Sequence, residues 1–145
     1  LKIIGDLGLF PQEVQQTAVD AQALLANNTG LTLVIAANYG GQWDIAQAAQ
    51  QIAKRAANNE INADDINIES FSQYLSLADQ PKVDLLIRTS GELRISNFLL
   101  WEIAYSELYF TNTLWPDFNP TELDKAIESF NHRDRRFGER KDKAC

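Results

Sequence analysis

The run Leu31-Thr-Leu-Val-Ile-Ala-Ala37 shows no apolar/polar alternation, and it constrains the fold more than any other stretch. A strand with one wet face alternates, whereas a strand covered on both faces reads as a continuous apolar run. The second pattern belongs to parallel sheets flanked by helices. Val83–Ile87 reads as another buried strand, Leu1–Gly5 as a strand already under way at the first residue, and Leu108–Phe110 as a further one. Helical patterns separate them. Pro11–Leu25 carries Pro11 and Glu13 in its first turn and exits through Asn27–Gly30. Trp43–Ala57 follows the turn Asn38-Tyr-Gly-Gly41, and Asp64–Leu77 has Ile66, Phe71, Tyr74 and Leu75 as its apolar set. Phe98–Tyr105 reads as a short helix, and a last helix runs from Pro120 or Thr121 to about Arg136. This alternation predicts an α/β fold, a mostly parallel open sheet flanked by helices. Residues 1–145 show no repeat or linker and read as a single domain. A first residue inside a strand fits either a short edge strand or part of a larger sheet, and periodicity leaves both open.

Composition narrows the chemistry. No apolar stretch approaches the roughly 20 residues that span a bilayer, and no signal-peptide pattern opens the chain. The one cysteine, Cys145, has no internal disulfide partner, so a reducing, cytoplasmic setting is expected. With one histidine and one cysteine, a His/Cys zinc site is implausible, and any metal would be hard and oxygen-bound. The net charge of −7 argues against general nucleic-acid binding. The charge is uneven, however: residues 1–130 hold 7 basic and 17 acidic residues, and residues 131–145 hold 6 basic and 3 acidic. By charge alone the basic tail reads as a solvated helix end rather than an anion site.

Ligands of open α/β sheets bind beyond the carboxyl ends of the strands, where two loops are of interest. Asn38-Tyr-Gly-Gly41 precedes a helix, and its glycines would let backbone approach an anion, although a plain tight turn is the favoured reading. The second loop, Arg88-Thr-Ser-Gly-Glu-Leu-Arg-Ile-Ser96, carries more. Arg88 closes an apolar strand, and Arg94 and Ser96 alternate just before the next element. Guanidinium groups match phosphate oxygens bidentately, a hydroxyl adds a donor, and free backbone N–H groups at such a corner would complete a diphosphate grip. Glu107, at the start of the Leu108–Phe110 strand, is either a carboxylate for Mg²⁺ beside that diphosphate or an ion-pair partner of one of the two arginines. Trp115-Pro-Asp-Phe118 reads as a rigid aromatic turn packed in the core, and His132 as solvated. No Ser-His-Asp or Cys-His arrangement stands out. A generic nucleotide-binding domain finds no Gly-x-Gly-x-x-Gly or Walker sequence.

The segment Asp84–Phe110 followed by Leu-Trp-Pro-Asp-Phe118 resembles the C-terminal signature of the cis-prenyltransferases, and within them the bacterial undecaprenyl diphosphate synthases. Asn28–Leu33, Ile35–Gly41 and Arg135-Arg-Phe-Gly138 add to the likeness, which covers essentially the whole chain. The resemblance implies transfer of isopentenyl diphosphate units, with cis geometry and Mg²⁺, onto farnesyl diphosphate. The product would be undecaprenyl diphosphate, precursor of the cell-wall lipid carrier. It implies that Arg88, Arg94 and Ser96 grip isopentenyl diphosphate and that Glu107 helps organise the metal. It further implies a homodimer in which Arg136 and Gly138 reach the partner's isopentenyl site, and a peripheral membrane contact for product release.

The chain also departs from the family pattern. The Met-Asp-Gly-Asn-Gly-Arg phosphate loop with its catalytic aspartate has no counterpart here, nor has the Asn-Trp loop that helps bind farnesyl diphosphate. No catalytic residue is therefore assigned. The expectation is a C-terminal portion that does not turn over alone. Leu93 stands where relatives often carry a polar residue, and Gln42 where arginine is frequent. A non-catalytic partner subunit of a heteromeric synthase is the alternative expectation, although such a subunit need not keep the Arg88/Arg94/Ser96 set.

Overall fold

A computed structural model describes residues 1–133 of the 145. Contacts along the chain group it into two compact units, one of residues 1–81 with 97–99, the other of residues 82–96 with 100 onward.

In the first unit, strand β1 (Lys2–Ile4) pairs in parallel with β2 (Val34–Ala36), Ile3 opposite Ile35. Parallel neighbours need a crossover, and helix α1 (Gln12–Leu25) supplies it. Pro11 precedes α1 where a missing N–H costs nothing, and Glu13 in the first turn favours the helix dipole. Gln22 ties α1 to the sheet, its Oε1 accepting from the Ile3 N–H at 2.8 Å. Helix α2 (Gly41–Ala57) buries Gly41, Asp44 and Ala48, spaced to share one face, and ends on Lys54 and Arg55, which suit a helix C-terminus. Ile4, Ala18, Ala48 and Leu75 form the core of this unit, joined by Leu99. The predicted Asp64–Leu77 helix is shorter: a turn over Ala63–Asp65 leads into α3 (Ile68–Ser72), started by a reciprocal Asn67/Ser70 capping box, after which the chain continues in turns.

The second unit repeats the parallel pairing. Strand β3 (Leu85–Arg88) lies beside β4 (Glu107–Phe110), with Leu85 opposite Glu107 and Arg88 opposite Phe110. Helix α4 (Pro120–Asn131) starts at Asn119, whose side chain accepts from the Glu122 N–H at 3.2 Å, and Pro120 occupies the first helical position. Leu86, Ile103 and Ala126 are buried here.

Three expectations are corrected. The apolar run Leu31–Ala37 is not a strand covered on both faces: only Val34–Ala36 is strand, Leu31 is 95% exposed, and Ile35 lies open. Among the described residues the face of β2 that carries Ile35 is left open, and Leu31 lies ahead of the strand altogether. Phe98–Tyr105 forms successive turns instead of a helix, because Ser96, Asn97 and Leu99 all take positive φ. Trp115 is 73% exposed rather than in the core, stacked on Phe118 with ring centroids 6.2 Å apart. His132 is exposed, as expected.

Candidate functional site

Beyond Arg88 the chain leaves β3 in a tight turn that the sequence makes possible with Ser90 and Gly91, at φ +68° and +70°. A side chain at Gly91 would also crowd the Asn112 side chain, with a Cβ only 3.0 Å from its Oδ1. The turn is laced to the segment after β4. Thr111 N–H donates to the Arg88 carbonyl, Gly91 N–H to that of Thr111, and Ser90 N–H to that of Thr113, each at 2.9 Å. Thr113 in turn donates from its hydroxyl to Glu122 Oε2 at 3.1 Å. The Glu122 carboxyl is held below its ordinary range, first by the hydrogen bond from Lys125 and then by that from Thr113.

This bracing changes how an anion would be bound. The Ser90 and Gly91 amides already serve carbonyls of the neighbouring loop and are not available to a phosphate. At those two positions binding is left to other groups of the loop, the Arg88 and Arg94 side chains among them. Arg88 stands at the carboxyl end of β3, half-buried, without an ion-pair partner among the described residues. Arg94 is 65% exposed and pairs with Glu92 two residues before it, so its guanidinium stays over the loop at the surface. Ser96 is exposed, at φ +46°. All three sit on one continuous segment of the second unit.

Glu107 occupies a different place. It is the first residue of β4, opposite Leu85, three residues before the level of Arg88 and Phe110. At about 3.3 Å per residue, that sets its backbone roughly 10 Å back from the carboxyl end of the pair. Its carboxylate is 24% exposed and accepts from Arg133 at 2.8 Å. The partner is thus an arginine beyond the end of α4, not Arg88 or Arg94. Arg136 and Gly138 lie outside the described residues.

The Gly-Gly loop of the first unit has a definite role. The first amides of α2 are taken by Asn97: Gly41 N–H donates to its carbonyl at 2.6 Å, and Gln42 N–H to its Oδ1 at 2.8 Å. Tyr39 meets Phe98 and Trp43 edge to face, with centroids 6.1 and 6.3 Å away. Its hydroxyl donates to the buried carboxylate of Asp44 at 2.9 Å, which also accepts from the Ser76 hydroxyl at 2.8 Å. Asn38–Gly41 is a bend at Ala37–Asn38 that leads into α2, and Asn97 occupies the Gly41 and Gln42 amides that an anion at this loop would use. Sequence reasoning missed Asn97, Thr111, Thr113 and Arg133. Only Asn97 left a signal, an asparagine beside a serine where a left-handed turn is wanted.

The model of the putative undecaprenyl diphosphate synthase family matches residues 1–138. The chain belongs to that family. It is 56% identical over 138 residues to the (2E,6E)-farnesyl-diphosphate-specific ditrans,polycis-undecaprenyl-diphosphate synthase of Haemophilus influenzae, covering 95% of this chain and 58% of that enzyme. The Vibrio vulnificus synthase of the same name is 51% identical, with 55% of its length covered. The chain therefore spans little more than half the length of these relatives. Among solved structures, it is similar to lavandulyl diphosphate synthase from Lavandula x intermedia in complex with dimethylallyl diphosphate (TM-score 0.92, 38% identity, 95% of this chain and 59% of that one). A probable undecaprenyl diphosphate synthase from Campylobacter jejuni gives a TM-score of 0.81 at 32% identity, covering 95% of this chain and 62% of that one. The α/β architecture with parallel strands is thus that of the family. No helix of the described residues is long and apolar enough to cross a membrane.

Proposed function

We propose that this chain carries the isopentenyl diphosphate site of a cis-prenyltransferase that elongates farnesyl diphosphate to undecaprenyl diphosphate. The observation that carries the reading is the cationic segment at the carboxyl end of β3, with Arg88 lacking a counter-ion among the described residues and Arg94 and Ser96 following it. In such a site Arg88 and Arg94 neutralise the diphosphate of the incoming unit and Ser96 donates to one of its oxygens. The carbon–carbon double bond is thereby held in one orientation toward the allylic partner, an effect of positioning supplemented by electrostatics. The names of the relatives support farnesyl diphosphate as that partner.

Mg²⁺ fits the residues present, in a limited way. Glu107 offers hard oxygen donors, but no group of three or more His, Cys, Asp or Glu side chains among the described residues is placed to hold a metal. An ion here would be held by Glu107 together with substrate oxygens, the usual habit of Mg²⁺, and would supply charge neutralisation on the diphosphate. The same reading pairs two copies of the chain in the cytoplasm, with Arg136 and Gly138 of each serving the other's site, and releases product at the membrane surface.

Binding of isopentenyl diphosphate to the chain, measured by titration calorimetry with pyrophosphate as competitor, tests the proposal. Arg94→Ala removes a charge-assisted contact of about 1.5–3 kcal/mol, so affinity should fall roughly 10- to 100-fold. An affinity unaltered by this change, or binding that pyrophosphate does not displace, defeats the assignment.

A further inference from the structure

Resting on the reading of Arg88 given above, we propose that Thr113 and Glu122 are positioning residues for the diphosphate grip. Through them helix α4 holds in place the corner on which Arg88 stands, and all of these residues belong to the second unit.

The corner does not hold itself. Ser90 takes φ +68°, a left-handed conformation that a residue with a side chain keeps only where its surroundings impose it. The segment after β4 supplies that constraint. Thr111 N–H donates to the Arg88 carbonyl, while the Ser90 and Gly91 amides donate to the carbonyls of Thr113 and Thr111, each at 2.9 Å. Residues 111–113 are themselves in no strand or helix, so their place depends on what holds Thr113. Its N–H and hydroxyl both meet Thr111 Oγ1, at 3.2 and 3.0 Å, which closes the segment on itself. The Thr113 hydroxyl then donates to Glu122 Oε2 at 3.1 Å, and this charge-assisted bond is the tie to α4. Thr111 donates to that hydroxyl in turn, so the two bonds run in one direction and strengthen each other. Glu122 is a firm anchor. Asn119 accepts from its backbone N–H at 3.2 Å, its side chain is 17% exposed, and Lys125 holds its other oxygen. Arg88 is half-buried where it leaves β3, and a shift of the corner by about 1 Å carries its guanidinium off a diphosphate oxygen.

Thr113→Val keeps the shape of the residue and the carbonyl that Ser90 uses, and removes only the hydroxyl. Thr113→Ser keeps the hydroxyl. The measurement is calorimetry of isopentenyl diphosphate on the 145-residue chain, with Arg88→Ala as reference and thermal unfolding alongside. Thr113→Val should raise Kd about five- to tenfold, the size of one hydrogen bond, and Thr113→Ser less than about twofold. In the Arg88→Ala background Thr113→Val should raise Kd no further, because the group it positions is gone. A merely structural Thr113 would lower the unfolding temperature while the folded protein kept its wild-type Kd. If Arg88→Ala weakens binding and Thr113→Val does not, or if their effects simply multiply, the positioning role is overturned and the diphosphate site stands. If Arg88→Ala leaves Kd unchanged, the site reading fails and takes this one with it. Should Thr113→Val fold poorly, Glu122→Ala removes the same bond from the other side and decides. Should Arg88→Ala bind too weakly to measure, the contrast between Thr113→Val and Thr113→Ser decides.

Discussion

Asp44 is 3% exposed, and its carboxylate collects the Tyr39 hydroxyl at 2.9 Å, the Ser76 hydroxyl at 2.8 Å and the Ser76 N–H at 3.1 Å. Asp44→Ala leaves those three donors without their acceptor. Hydrogen bonds to a charged group contribute about 1.5–3 kcal/mol each in favourable cases. Tyr39 and Ser76 are only half-buried, so water recovers part of that, and about 1 kcal/mol per donor is the better figure. Loss of a negative charge in the first turn of α2 adds about 0.5 kcal/mol. The better helix propensity of alanine returns a similar amount, leaving a net loss of about 3 kcal/mol. At a urea dependence of roughly 2 kcal/mol per molar, the unfolding midpoint should fall by about 1.5 M with the slope unchanged. Asp44→Asn keeps one carbonyl acceptor and should cost only about 1 kcal/mol. Combining Asp44→Ala with Tyr39→Phe should cost about 1 kcal/mol less than the two changes summed, since both remove the same bond. A loss below about 1 kcal/mol for Asp44→Ala, or strict additivity with Tyr39→Phe, would show that this carboxylate does not hold the Asn38–Gly41 loop.

Other consequences are open to measurement. Hydrogen bonds lower the folded-state pKa of Asp79, chiefly through Lys2, of Glu60, chiefly through Asn58 and then Arg55, and of Glu122, chiefly through Lys125. Their stabilisation is complete above the ordinary values of 3.8 and 4.5 and is lost as pH falls through the lower folded values. The melting temperature should drop in acid, and less steeply in Asp79→Asn; an equally steep drop there would remove Asp79 from the account. Asn119→Ala deletes the α4 cap and should cost about 1 kcal/mol by urea unfolding, with a loss under ~0.3 kcal/mol contradicting the cap. Arg133→Ala breaks an exposed ion pair and should change stability by less than about 1 kcal/mol. It also releases the Glu107 carboxylate, so Mg²⁺-dependent binding of isopentenyl diphosphate should tighten. Weaker binding would mean that Arg133, rather than a metal on Glu107, serves the diphosphate.

Elements whose signals are local were legible in the sequence. The starts of α1 and α4 are marked by Pro11 and Pro120, and the place where β3 becomes a cationic loop is written in Arg88 itself. What escaped depends on residues distant in sequence. The apolar set Phe98–Tyr105 has helical spacing, and Leu99 and Ile103 are buried as a helix would bury them. The chain nevertheless reaches that burial through turns, because Asn97 is drawn to the start of α2. Nothing near Gly40 announces that a residue more than fifty positions away will occupy the α2 amides. Likewise, the pairing of Glu107 with Arg133 joins a strand start to the residue beyond a helix end, and composition ranks no arginine above another. The Ser90 and Gly91 amides looked available because the sequence cannot show that the Thr111–Thr113 carbonyls face them.

That last feature bears on turnover. A cradle of backbone amides is as rigid as the turn that builds it, and a ligand leaves it without the cradle following. Here the turn at Ser90 and Gly91 is already closed on its neighbour, so at that corner the contact with a diphosphate would be left to long, jointed side chains. Exposed arginine side chains change rotamer in picoseconds to nanoseconds, far faster than a turn can rebuild. On the function proposed above, the site would load and discharge once for every unit added to a growing chain, and an arm that swings with its cargo and returns empty would suit it. The laced Ser90–Gly91 corner and the Arg94 side chain, tethered only by an exposed ion pair with Glu92, are in that sense complementary: one would keep the place, the other let the traffic through.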